Sequence, residues 1–296
     1  MSSQNIYANT VAEYQARRLF GKEKLRRIAG AEFGNAIKIL IGYGYLGDYD
    51  NADSQDIDSF IASQIRRLTE FIEENSASSA LTKILLSSFI CSDVKALYKS
   101  SFADGGVSSA LYFNDSVTLD AEHIKEAVSE LSENPSGKEI DYAIMQAMFA
   151  ENLAFAKETG TSLLRYCRRQ IDITNILSAY RAKKLGYSHE ETLSELFDGG
   201  EISLENIISS DDVKETEYEE AVIALESNDI RKFRKLTESL LLDTFKKDFT
   251  NYSGYGPFIR YVLTQLEEYK TVRYILVCIK NNIAFSVDDF RSIDDD

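Results

Sequence analysis

Two prolines in 296 residues, Pro135 and Pro257, constrain this chain more than any other feature of its sequence. Proline removes a backbone donor and interrupts helices and interior strands alike. Glycine, the other residue that breaks regular structure, occurs only 15 times. So few interruptions favour long helices over many short strands. The apolar pattern agrees. "DIDSFIASQIRRLTEFIEE" places Ile57, Phe60, Ile61, Ile65, Leu68, Phe71 and Ile72 three and four apart, one stripe at the helical period. "DYAIMQAMFAENLAFAKE" repeats this with Ile144, Met148, Leu153 and Phe155 on a broader face, and "NDIRKFRKLTESLLLDTFKKDF" does so with Ile230, Phe233, Leu236, Leu240, Leu241 and Phe245. "SHEE" at 188–191 supplies both halves of a capping box, Ser188 and Glu191, which satisfy two orphan amides reciprocally. The expectation is an all-α protein.

Charge narrows the functional classes. The chain carries 48 acids against 33 bases, a net −15, which repels nucleic-acid backbones and anionic lipid surfaces. One stretch runs the other way: Arg17, Arg18, Lys22, Lys24, Arg26 and Arg27 are interleaved with Leu19, Phe20, Leu25 and Ile28. That interleaving reads as an exposed helical face or a patch for an acidic partner protein rather than a nucleic-acid site. Apolar residues at 44% and charged residues at 27% fit a globular protein large enough for a substantial core in one to three domains. Cys91, Cys167 and Cys278 lie far apart in apolar surroundings, as buried thiols in a reducing compartment would. The N-terminus lacks the basic-then-apolar order of a signal peptide, and no apolar run approaches the ~20 residues of a membrane span. A cytoplasmic location is expected.

Motifs with chemical content fail when tested. "AIKILIGYGYLGDYDNADSQD" contains Gly42-x-Gly44-x-x-Gly47, the spacing of a dinucleotide loop and the basis of an oxidoreductase alternative. Such a loop needs its third glycine in the first turn of a helix facing a pyrophosphate. Gly47 is instead followed by aspartates at 48, 50, 53, 56 and 58, and Ala36, Ile37, Leu40 and Ile41 before the glycines have helical spacing. The glycines read as the end of a helix. "DYDNADSQDIDS" fails as a calcium loop, with Asp53 where a turn glycine belongs and Ser59 where a bidentate Glu belongs. "SIDDD" at the C-terminus is a lone acidic tail, and His123 and His189 sit in polar surroundings with no nucleophile arrangement. Neither catalytic residues, a cofactor nor a metal is expected.

Internal repetition is more informative. Three segments open on an acid, Asp93, Asp172 or Glu268, followed three positions later by Ala96, Asn175 or Thr271 and then by Leu97, Ile176 or Val272. Each runs on into an apolar helix, and the second and third reach a basic residue (Lys184, Lys280) and a helix start at Ser188 or Ser286. "TLDAEHI" (118–124) and "SLENI" (203–207) stand at comparable places in the first two copies, whereas the "DGG" turns at 104–106 and 198–200 are out of register. Three related helical modules follow, at approximately 1–103, 104–200 and 201–296, with interleaved boundaries.

"DITNILSAYRAKKLGYSHEETLSELFDGGEISLENI" resembles the central repeat of the C-type subunit of the V-type (archaeal-type) ATPase/ATP synthase, a relative of the eukaryotic d-type subunit. "EYQARRLFGKEKLRRIAGAEFGNAIKILIGYGYLGDYD" is similar to the opening of that family, and "GPFIRYVLTQLEEYKTVRYILVCIKNNI" to its closing helix, with Thr271 in place of the usual Asn and Ala96 at that position in the first copy. The resemblance implies a funnel-shaped fold of three pseudo-symmetric helical modules. It implies a non-catalytic subunit on the inner face of the membrane, seated on the proteolipid rotor ring and receiving the D and F proteins of the central stalk. Asp93, Asp172, Asn175, Glu268 and Arg273 then become signature positions with structural roles, and Arg181, Lys183 and Lys184 candidate contacts with an acidic partner. An unrelated helical cytoplasmic adaptor is the alternative.

Overall fold

The computed structural model describes residues 3–76, 79–102, 112–113, 122–132, 134–247 and 254–295. Among them lie fourteen α-helices and no strand. The chain divides into two units, residues 1–122 with 247–296, and residues 123–246.

The first unit contains α1 (Ser3–Ala16), α2 (Lys22–Ala29), α3 (Phe33–Gly42), α4 (Ile57–Asn75), α5 (Ser79–Phe102) and α14 (Gly256–Asn281). At its centre is α14, which packs against each of the other five. Its first half has almost no exposed face: Phe258, Val262 and Leu266 are buried, as are the intervening Leu263 and Thr264. Pro257 sits in the first turn of α14, where its missing N–H would have lacked an intrahelical partner anyway. Asn9, fully buried on α1, holds that end in place, accepting from Phe258 N (3.2 Å) and donating to Gly254 O (2.8 Å). The stripe read from α4 faces inward, with Phe60, Ile61, Ile65 and Ile72 all at most 1% exposed. Its Phe71 stacks on Phe258 of α14 at 5.8 Å between ring centres.

The Gly42–Gly47 stretch ends a helix. α3 stops at Gly42, and Gly44 takes φ +102°, a left-handed conformation that glycine adopts without the steric cost a side chain would add. The acids after it have local duties: Asp48 accepts from Asp50 N and Asn51 N, and Asp56 caps α4 by accepting from Ser59 N at 2.8 Å. Among the described residues no group of side chains is arranged to hold a metal ion.

The second unit contains α7 (Gly137–Thr159), α8 (Thr161–Leu185), α9 (His189–Leu193), α10 (Leu204–Ile208), α11 (Ser210–Lys214), α12 (Glu219–Glu226) and α13 (Ile230–Asp243), following α6 (Glu122–Ser129), whose first residue belongs to the other unit. α7 and α8 pack together across the single residue Gly160, and α12 and α13 form a second antiparallel pair. Between α8 and α10–α13 lies a core that includes Ile176, Val213, Tyr218, Leu225 and Phe233. The Ser188/Glu191 capping box is present at the start of α9, and a second one, Ser136/Glu139, opens α7. All three cysteines are buried and none forms a disulfide, and burial pushes the Cys167 thiol up to about 12.

Candidate functional site

The acids that open the three repeats occupy one kind of place: each lies on a long helix with its carboxylate receiving amide protons from a loop. A loop amide has no i−4 carbonyl to bond, and leaving it unpaired inside a protein costs about 1–3 kcal/mol. A carboxylate offers two oxygens and bonds such amides more strongly than a neutral acceptor does.

Asp93 on α5 is 2% exposed and accepts from Tyr112 N (3.0 Å) and Phe113 N (2.8 Å) through separate oxygens. Burial raises its pKa, while the two amides and the Arg66 charge pull it back. Arg66 also donates to Tyr112 O, and the Tyr112 ring meets Phe89 edge-on at 5.0 Å.

Asp172 on α8 is fully buried. It accepts from Glu201 N (3.0 Å) and Ile202 N (3.2 Å), with the Tyr218 hydroxyl at 3.5 Å. One helical turn later Asn175, also fully buried, bonds Phe197 both ways, donating to its carbonyl at 2.7 Å and accepting from its N–H at 2.8 Å. Four backbone groups of the 197–202 loop are thus held by two side chains one turn apart. Gly200 permits the approach, since a Cβ there would stand 2.1 Å from Asp172 Oδ1. Gly199 before it takes φ +104°. Burial outweighs the donors and pushes Asp172 up to about 6.

Glu268 on α14 has its carboxylate enclosed by three donors: Phe20 N at 2.6 Å, the Tyr45 hydroxyl at 2.9 Å and Gln265 Nε2 at 2.9 Å. Tyr45 stacks on Phe20 and Phe60 and meets Tyr269 edge-on, so the acid is roofed by aromatic rings. Burial again dominates and pushes Glu268 up to about 7, against the opposing pull of its donors and Lys24. The loop it holds is not the one that follows it in sequence but one 248 residues earlier. Arg273, farther along α14, pairs with Asp58 at the start of α4 at 2.8 Å.

Asp93, Glu268 and Arg273 belong to the first unit, and Asp172 and Asn175 to the second. Each of the three acids holds its own set of donors, and the Arg273 and Asp93 charges both act on the Tyr112 side chain. Sequence reading missed their partners, Tyr112, Glu201, Phe20 and Tyr45. It also missed Arg169, 4% exposed, which pairs with Glu217 and donates to Leu240 O (2.8 Å) and Thr244 Oγ1 (2.6 Å). The one available signal was "DGG" at 198–200, whose last glycine faces Asp172. Its counterpart at 104–106 lies outside the described residues.

Arg181, Lys183 and Lys184 are exposed near the C-terminal end of α8. Lys183 and Lys184 edge a groove of about 250 Å³ with apolar walls, among them Ile176, Ile208, Val213 and Val222. Lys184 lies over the Tyr180 ring and donates to Asn228 Oδ1 at 3.2 Å. Both lysines complement the negative end of the helix dipole.

Among the described residues no helix is long and apolar enough to cross a membrane. Comparison with curated proteins finds no match. The family model of the ATP synthase (C/AC39) subunit matches residues 8–286 and so takes in all three acid-anchored loops. The chain therefore belongs to the ATP synthase (C/AC39) subunit family and is an accessory subunit of a V/A-type ATPase.

Proposed function

We propose that this protein is the central-rotor socket of its ATPase, a part without an active site of its own that couples the central stalk to the membrane rotor ring. Its partners are the D and F proteins of the stalk on one side and the proteolipid ring on the other, at the inner face of the membrane. Neither nucleic acid nor a cofactor has a part in this reading.

The observation that supports it most is the use of one device on three long helices. A part that transmits torque must resist bending and shear, which calls for packed helices tied to their loops rather than for titrating groups poised for chemistry. Asp93, Asp172 and Glu268 tie loops to helices of 24, 25 and 26 residues. We read these as three modules, the third completed by the N-terminal segment that carries Phe20 and Tyr45. Arg181, Lys183 and Lys184 at the end of α8 are the contacts we assign to acidic groups of a partner.

The test is size-exclusion chromatography with light scattering of the chain alone and mixed with the D–F heterodimer of the same ATPase. A 1:1:1 complex supports the socket. No association at low and moderate salt refutes it and leaves a helical adaptor role. A basic stalk tip drawn to this acidic chain also requires affinity to fall with added salt.

A further inference from the structure

The stretch at residues 17–27 concentrates six bases and one acid within a chain of net charge −15. Arg17, Arg18, Arg26 and Arg27 are exposed there, while Leu25 and Ile28 on the opposite side of α2 are buried. Acids from the far end of the chain already lie on it. Asp288 pairs with Arg26 at 2.9 Å, and Asp294 accepts from Lys22 N at 2.6 Å at the start of α2. α2 has no side-chain cap of its own, because its N-cap residue is Gly21, and the Asp294 carboxylate supplies that cap. Gly21 leaves room for it: a Cβ there would stand 2.7 Å from Asp294 Oδ2.

The tail is held in two ways. Val287 and Ser292 are buried, and Phe290 packs against Tyr274 at 5.0 Å, so this part is anchored. The ionic contacts are exposed: both side chains of the Arg26–Asp288 pair are about 60% accessible. Exposed ion pairs contribute little and exchange readily with other anions.

We propose that the 17–27 surface is a docking site for an acidic segment of a partner protein, and that Asp288 and Asp294 occupy it in the isolated protein as a displaceable strap. Charge geometry favours a peptide over an anionic lipid surface. A bilayer would face the surrounding acidic chain as well, whereas a peptide meets only what lies within a Debye length of about 8–10 Å. The proposal does not depend on the rotary assignment, since its test needs no ATPase partner.

The test is fluorescence anisotropy with a labelled oligo-aspartate peptide and the full chain. Asp288→Asn with Asp294→Asn should tighten binding by roughly three- to tenfold, the range expected for removing exposed ionic competitors. Gly21→Ala should act in the same direction by pushing the Asp294 carboxylate away, without changing the charge of the chain. Arg17→Glu with Arg27→Glu should abolish binding while leaving the helical circular dichroism intact. Equal affinity for the native chain and the two tail variants overturns the strap. Peptide binding insensitive to the Arg17/Arg27 exchange overturns the site, and so does binding of phosphatidylserine vesicles without peptide binding.

Discussion

Glu268→Gln separates the burial of an acid from its hydrogen bonds. The native carboxyl titrates at about 7 rather than the usual 4.5 because burial outweighs Phe20 N, Tyr45, Gln265 and the charge of Lys24. Between those two values the folded chain holds a proton that the unfolded chain has released. Stability from this group therefore falls as pH rises through the window, by about 1.4 kcal/mol per pH unit and about 3 kcal/mol in all. It is flat below the window, where the carboxyl is protonated in both states, and flat above it, where the carboxyl is ionised in both. Glutamine keeps one oxygen for Phe20 N and has no charge to desolvate. The Tyr45 hydroxyl can turn to accept from its amide. Other acids slope the other way: hydrogen bonds to Ser59 and Asn51 lower Asp56 and Asp48, which contribute stability at higher pH and lose it on acidification. The difference between native and Glu268→Gln proteins cancels those contributions. Urea unfolding followed by circular dichroism at several pH values from about 4.5 to 8 gives that difference, provided the two m-values agree. The variant should gain about 3 kcal/mol on the native protein across the range. A difference that stays constant, or that moves in favour of the native protein, would mean the donors overcome burial, and the reasoning fails.

Three further outcomes follow from the second unit. Asp172→Ala strands two loop amides and should cost about 2–5 kcal/mol; Gly200→Ala should cost about 1–3 kcal/mol by displacing the same carboxylate, and far less when Asp172 is already alanine, as a double-mutant cycle would register. Arg169→Ala removes the buried guanidinium that donates to Leu240 O and Thr244 Oγ1 and should cost about 1–3 kcal/mol in chemical denaturation, since the exposed Glu217 keeps Arg165 at 3.7 Å. Ser188→Ala removes half of a capping box on an exposed helix start and should cost about 1 kcal/mol, visible as a small drop in the urea midpoint.

The helices were legible where they lie on a surface and bury one face. The stripe from Ile57 to Ile72 marks α4 because polar residues separate the apolar ones, and the helix runs from Ile57 to Asn75. α14 shows no comparable stripe, since neighbours surround its first half and nearly every position there is apolar or small. It was read instead from the resemblance of 256–283 to a closing helix, and in the structure it runs from Gly256 to Asn281, with Pro257 in its first turn and Asn282 at a left-handed φ of +54°. Ser188 and Glu191 could be read because a capping box is confined to four consecutive residues. The partners of Asp93, Asp172 and Glu268 could not, because an acceptor on a helix says nothing about which distant loop will bring its amides there.

Glu268 makes the point most sharply. Asp93 and Asp172 each spread two oxygens over two successive amides, at 112–113 and 201–202, later in the chain than their own helix. Near the end of the chain the third acid meets a loop from the opposite terminus, and its extra methylene accompanies a different set of donors: one amide and two side chains. A repeat compared residue by residue therefore loses register in this copy, although the physical requirement is unchanged. Each loop leaves a helix with amides that need an acceptor, and a buried carboxylate supplies one at the cost of a raised pKa. The recurring element is that pairing of an acid with unpartnered amides. The residues between acid and loop are free to differ in length and order, which is why the 198–200 turn could not be matched by position although Gly200 sits against Asp172.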